Sequence, residues 1–224
     1  MNIASFIDHT ILKPTTTNQE VKDLCREAIE YGFAAVCIPP PLVKNAKIYL
    51  KGSDVKIATV IGFPFGYSTA KAKIFETQQA IEDGAHEMDF VINLIALRSH
   101  AWTYLESEVK YIVQAVHKNE CLLKVIIESG ILTNEEIVQC CEIYAKAEVD
   151  FVKTSTGYAE KGASLEAVQL MREILPSSVR IKASGGIRNY TFARQLIEAG
   201  ADRLGCSASV AIVNEQLNQS NEGL

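Results

Sequence analysis

The 224-residue sequence predicts an α/β fold, a single (β/α)8 TIM barrel, on three observations. Short apolar, β-branched runs alternate with longer segments of helical periodicity. The runs are too apolar to be half exposed, which is the signature of parallel strands covered by helices. Matching start and stop signals flank the helical segments. Eight such units close naturally as a barrel, although alternation alone also fits an open doubly wound sheet. No linker or low-complexity stretch divides the chain, so residues 1–224 read as one domain. The polar tail over 218–224 is expected to fray.

The first strand is the least marked, a short run within 6–12. The other seven are AAVCI at 34–38, IATVIGF at 57–63, MDFVIN at 88–93, LLKVII at 122–127, DFVKTS at 150–155, VRIKAS at 179–184 and RLGCS at 203–207. Between them, Val21, Leu24, Ala28 and Ile29 share one helical face. So do Val109, Ile112, Val113 and Val116, and also Phe192, Leu196 and Ile197. Thr17 with Glu20, and Thr133 with Glu136, fit a capping box, in which hydroxyl and carboxylate each satisfy an orphan backbone donor. Gly32, Gly84 and Gly200 each close a helical segment just before a strand, where a left-handed cap is needed.

Composition narrows the function. The chain is 48% hydrophobic and 22% charged with a net charge of −5, which argues against non-specific binding to nucleic acid or anionic membranes. No apolar run approaches a membrane span, and the first residues lack the regions of a signal peptide, so a cytoplasmic protein is expected. The six cysteines have neither CxxC nor disulfide-framework spacing and read as reduced thiols. The four histidines show neither HxH nor HExxH spacing. Neither a metal nor a cofactor is implied, and no dinucleotide or P-loop motif is present.

In a barrel the functional groups gather at the C-terminal strand ends. Two lysines stand out there, Lys153 in DFVKTS and Lys182 in VRIKAS. A single lysine in a buried strand can snorkel to the rim. Two on neighbouring strands point into one mouth, where each disfavours the other's charge. At its ordinary pKa about one lysine in a few thousand is neutral at pH 7; a depression of about three units makes roughly half of it neutral. A neutral amine attacks a carbonyl and gives an iminium, an electron sink for C–C cleavage. Asp89, inside an apolar run, is the candidate proton carrier, although it can also be a purely structural partner. Gly185-Gly186 before a helix, with Thr156-Gly157 and Gly205-Cys206-Ser207, supplies backbone donors suited to a phosphate.

Four segments, Ile7–Pro14 (IDHTILKP), Val60–Pro64 (VIGFP), Phe151–Gly157 (FVKTSTG) and Lys182–Arg188 (KASGGIR), resemble the deoxyribose-phosphate aldolase family. The likeness runs from about residue 3 to 213. It implies reversible cleavage of 2-deoxy-D-ribose 5-phosphate to D-glyceraldehyde 3-phosphate and acetaldehyde. It also implies that Lys153 forms the Schiff base, that Lys182 perturbs it and assists proton transfer, and that Asp89, after Glu87, shuttles protons. Asp8, Cys37 and Thr154 match positions near the substrate, and Gly157, Gly185, Gly186 and Ser207 match phosphate-binding positions. Many relatives form dimers, so a homodimer is a possible assembly.

Three departures from the family pattern stand out. Ser207 is followed by Ala208 where a second serine is usual, which removes one hydroxyl from the phosphate site. Glu148 replaces a glycine, so that helix end is expected to differ. The chain also lacks the terminal tyrosine found in some members. Two other readings stay open on sequence grounds: a phosphate-binding isomerase or synthase using Lys153 and Asp89 as acid and base without a covalent intermediate, and a non-catalytic sugar-phosphate-binding barrel.

Overall fold

The computed structural model describes residues 2–222. Eight parallel strands close into a barrel in sequence order: β1 (Ile7–Thr10), β2 (Ala35–Ile38), β3 (Lys56–Ile61), β4 (Glu87–Val91), β5 (Leu122–Ile126), β6 (Phe151–Lys153), β7 (Arg180–Ser184) and β8 (Arg203–Cys206). β8 pairs back onto β1, with Asp8 opposite Gly205. The open sheet is thereby excluded.

The main helices of the outer layer are α1 (Asn18–Tyr31), α2 (Val43–Tyr49), α3 (Ala70–Asp83), α4 (Leu94–Arg98), α5 (Trp102–His117), α6 (Asn134–Lys146), α7 (Leu165–Ile174), α8 (Tyr190–Glu198) and α9 (Ser209–Glu222). Both capping boxes form, at Thr17–Glu20 on α1 and Thr133–Glu136 on α6. α9 runs through five residues of the tail expected to fray, and 223–224 lie outside the described residues.

The large apolar core lies between the barrel wall and the helices, because the apolar stripes of α1, α5 and α8 face outward-pointing strand residues such as Val36, Phe90 and Val125. The barrel interior differs. On the β2–β3 side it holds the small group Ala35, Cys37, Ala58 and Val60. The rest of the circuit carries buried charge on β1, β4, β5, β6 and β7: Asp8, Glu87, Asp89, Lys124, Lys153 and Lys182. Small apolar side chains on one side leave room for long charged ones from the other.

Glu148 corrects an expectation. It does not alter the end of α6; it adopts φ 57° itself, the left-handed region that Gly32 occupies after α1 at φ 68°. Its amide donates to Ala145 O at 3.0 Å and that of Val149 to Tyr144 O at 3.3 Å, so the closing turn is kept. A side chain in that conformation costs about 1 kcal/mol.

Candidate active site

Lys153, the last residue of β6, and Lys182, in the middle of β7, are register partners. Both are buried, and both ammonium groups reach one atom, Asp89 Oδ2 on β4, at 2.6 and 2.8 Å. Lys182 also pairs with Asp8 on β1. Cys37 Sγ on β2 points at the same Asp89 oxygen from 3.9 Å. The structure thus brings Lys153, Lys182, Asp89, Asp8 and Cys37 into one group.

Their surroundings separate the two lysines. Burial pushes the Lys153 pKa down; Asp89 pulls it back, and the Lys182 charge depresses it further. Repulsion between the lysines alone, the cause expected from sequence, is therefore secondary to desolvation. Lys182 is equally buried, but Asp8 and Asp89 outweigh that burial and lift its pKa above the ordinary lysine value. For Asp8 and Asp89, burial favours the neutral acid, yet the cations around them hold both below the usual carboxylate range. Burial, then Asp89, pushes the Cys37 thiol up to about 11, so it stays protonated near neutrality.

Two members of this cluster were not singled out in the sequence. Lys124, the third residue of β5, sits opposite Asp89 in register. It lies 2.5 Å from Glu87, 2.9 Å from Asp89 Oδ1 and 3.5 Å from Asp8. Arg203, at the start of β8, lies 2.6 Å from Asp8 Oδ1 and 3.5 Å from Glu87. Glu87, noted in the sequence only as a neighbour of Asp89, connects the two. The signal for Lys124 was present, since LLKVII is an apolar run interrupted by one lysine, as DFVKTS is.

Above this charged layer opens a cleft of about 630 Å³. Lys153, Gly157, Gly185, Gly186 and Ser207 line it, together with Lys13, Tyr158, Ser184 and Arg188, which the sequence reading did not assign. Gly157 and Gly185 have φ 86° and Gly186 has φ 78°, values that turn backbone amides in a way L side chains resist. At Gly185 a Cβ would also come within 3.0 Å of Gly162 Cα. Lys153 is the cluster's contact with the cleft; Asp89, Asp8 and Cys37 lie beneath it.

Thr154 sits apart from these residues. It does not line the cleft: its Oγ1 accepts from Ser184 N at 3.0 Å and donates to Ser184 O at 3.3 Å, tying the ends of β6 and β7. Side chains alternate along a strand, so the residue after an inward lysine turns away. The loop beyond is held by Glu128, which follows β5 with φ 57°. Glu128 accepts from the Thr156 hydroxyl and from the Thr156 amide at 3.2 Å. Tyr158 then donates to Leu12 O at 2.8 Å and meets Phe63 edge-on at 5.3 Å, closing one flank of the cleft.

Comparison with known proteins agrees with this geometry. Residues 3–212 match the model of the DeoC/LacD family aldolases. The deoxyribose-phosphate aldolase of Caldanaerobacter subterraneus subsp. tengcongensis is 48% identical over 98% of this chain and 95% of its own. That of Clostridium tetani is 49% identical over 96% of this chain and 99% of its own. The tetrameric deoxyribose phosphate aldolase structure from Aeropyrum pernix superposes with a TM-score of 0.91 at 32% identity, covering 97% of this chain and 92% of that one.

Proposed function

Since this chain belongs to the DeoC/LacD family of aldolases, we propose that Lys153 carries the covalent step of a class I aldolase reaction. The reaction is the reversible cleavage of 2-deoxy-D-ribose 5-phosphate to D-glyceraldehyde 3-phosphate and acetaldehyde. One observation supports the role of Lys153 above the others. It is the buried lysine that borders the cleft and whose proton is destabilised, while Lys182 beside it is held charged.

The chemistry follows. The neutral Lys153 amine adds to C1 of the open-chain aldehyde, and loss of water gives the iminium. A base removes the C3 hydroxyl proton, the C2–C3 bond breaks, and its electron pair moves into the iminium as D-glyceraldehyde 3-phosphate departs. The resulting enamine takes a proton on its terminal carbon, and water then releases acetaldehyde and restores the amine. We assign Asp89, in contact with Lys153, to accept and return these protons and Lys182 to supply one. Gly157, Gly185, Gly186 and Ser207 offer the phosphate its donors at the far wall of the cleft. Asp8 and Cys37 act from beneath, Asp8 by holding Lys182 charged.

No helix among the described residues is long and apolar enough to cross a membrane. We place the enzyme in the cytoplasm, where its six unpaired cysteines stay reduced. For assembly we propose a homodimer; exposed Phe65, Tyr67, Phe75 and Ile95 are apolar surface that an interface would cover. Light scattering distinguishes it from a monomer or tetramer. The activity itself is tested by supplying 2-deoxy-D-ribose 5-phosphate and measuring D-glyceraldehyde 3-phosphate and acetaldehyde. Equimolar release of both is expected; isomerised sugar phosphate without acetaldehyde would favour the isomerase reading.

A further inference from the structure

The buried cluster contains more positive than negative groups. Four cations, Lys124, Lys153, Lys182 and Arg203, are ion-paired with three carboxylates, Asp8, Glu87 and Asp89. With every group ionised, this cluster, whose three lysines are buried and whose Arg203 stands half-buried at its edge, would carry one unbalanced positive charge. Burying an uncompensated charge is costly, and the usual relief is to shed a proton. Arginine does not do so in proteins, which leaves the three lysines.

The contacts decide which lysine yields. Lys124 touches all three carboxylates, and Lys182 touches both aspartates. Lys153 touches Asp89 alone, at an oxygen it shares with Lys182. Arg203 takes the other oxygen of Asp8 and the flank of Glu87, so it consumes the carboxylate charge that would otherwise hold a proton on the lysines. We propose that Arg203 is a positioning residue of this active site: as the fourth cation among three carboxylates, it leaves Lys153 as the amine without a counter-ion of its own.

The inference rests on Lys153 being the reacting amine. Every charged element facing Lys153 enters it. Asp8 lies on β1, Glu87 and Asp89 on β4, Lys124 on β5, Lys182 on β7 and Arg203 on β8; β2 contributes the Cys37 thiol and β3 only Ala58 and Val60. Glu128 feels Lys153 from the loop after β5, but its carboxylate is turned to Thr156 and lies within ion-pair distance of none of the four cations. Arg180 stacks on the Phe151 ring at 4.0 Å at the opposite end of the barrel from the cleft.

Changing the balance by one charge should move Lys153 in a direction fixed by sign. Arg203→Gln leaves three cations with three carboxylates, so Lys153 keeps its proton to higher pH. Glu87→Gln leaves four with two, so Lys153 loses it at lower pH. The double variant leaves three with two and restores the parent excess of one. The readout is the pH dependence of Lys153 acylation by dilute acetic anhydride, followed on its peptide by mass spectrometry. It needs no turnover.

The single variants should displace the midpoint in opposite directions by about one pH unit or more, and the double variant should return it towards the parent. For Arg203→Gln this means about a tenfold lower acylation rate on the acid limb for each unit of displacement. An unmoved midpoint, or both single variants moving it the same way, overturns the proposal. Should Arg203→Gln fail to fold, Arg203→Met, which keeps the aliphatic stem and removes the same charge, is read in the same way: an upward shift supports the proposal and an unmoved midpoint overturns it. Trapping of a substrate adduct on parental Lys153 separates failure of this inference from failure of the aldolase assignment: an adduct with an unmoved midpoint rejects only the role of Arg203.

Discussion

Lys153 and Lys182 share one oxygen of Asp89, at 2.6 and 2.8 Å, yet only Lys182 has a second carboxylate, that of Asp8. This asymmetry gives two chemically identical side chains opposite tendencies. One is pushed towards the neutral nucleophile and the other towards the protonated form.

Removing Lys182 should therefore change the pH dependence of the reaction. In Lys182→Leu, Asp89 Oδ2 belongs to Lys153 alone and a neighbouring positive charge is gone. Both changes favour the protonated amine, so the Lys153 pKa rises. Rate depends on the neutral form, so the acid limb of the kcat/KM profile moves to higher pH and activity near pH 7 falls. Adduct formation persists at alkaline pH. A profile whose limb stays in place would refute the electrostatic role of Lys182.

Asp89→Asn should slow turnover by about 10²–10⁴, the usual worth of a positioned proton carrier. It also leaves three buried ammonium groups short of a counter-ion, so unfolding stability should drop by about 3–5 kcal/mol, measured by urea denaturation. Near-parental rates in a destabilised protein would make Asp89 structural only.

The fold was legible because parallel strands covered by helices have little freedom in composition: each run from AAVCI to VRIKAS became a strand. β1 was faint because its four residues, Ile7–Thr10, include Asp8 and His9, which serve the interior and the α1 side rather than the apolar core. Lys153 and Lys182 came to notice because small polar residues and glycine follow each of them, whereas Lys124 was passed over because Val125, Ile126 and Ile127 follow it and the run reads as plain core. Arg203 was hidden because RLGCS drew attention to its glycine and serine. Thr154 lies off the cleft because strand geometry sends sequence neighbours to opposite faces, which proximity to Lys153 in the sequence does not reveal.

The Glu128–Thr156 contact predicts an effect on binding rather than chemistry. Thr156→Val removes the hydroxyl donor and leaves a buried carboxylate with fewer partners, at a cost of about 1–3 kcal/mol. The loop bearing Gly157 loosens, so KM for the phosphorylated substrate should rise while kcat changes less. An unchanged KM would detach this loop from phosphate binding.

Glu148→Gly tests the left-handed end of α6 directly. Glycine occupies φ 57° without the steric penalty of a Cβ, so the variant should gain up to about 1 kcal/mol in denaturant unfolding, offset in part by the greater freedom of its unfolded chain. A clear loss of stability would show that the Glu148 side chain contributes more than its conformation costs.

The aldolase chemistry turns on a covalent bond at one nitrogen, Lys153 Nζ. The direct test is to incubate the enzyme with 2-deoxy-D-ribose 5-phosphate, reduce with borohydride and locate the added mass by peptide mass spectrometry. A reduced adduct is expected on Lys153, absent from Lys153→Leu together with turnover. A turning-over enzyme with no adduct, or an adduct confined to Lys182 or Lys124, would contradict it.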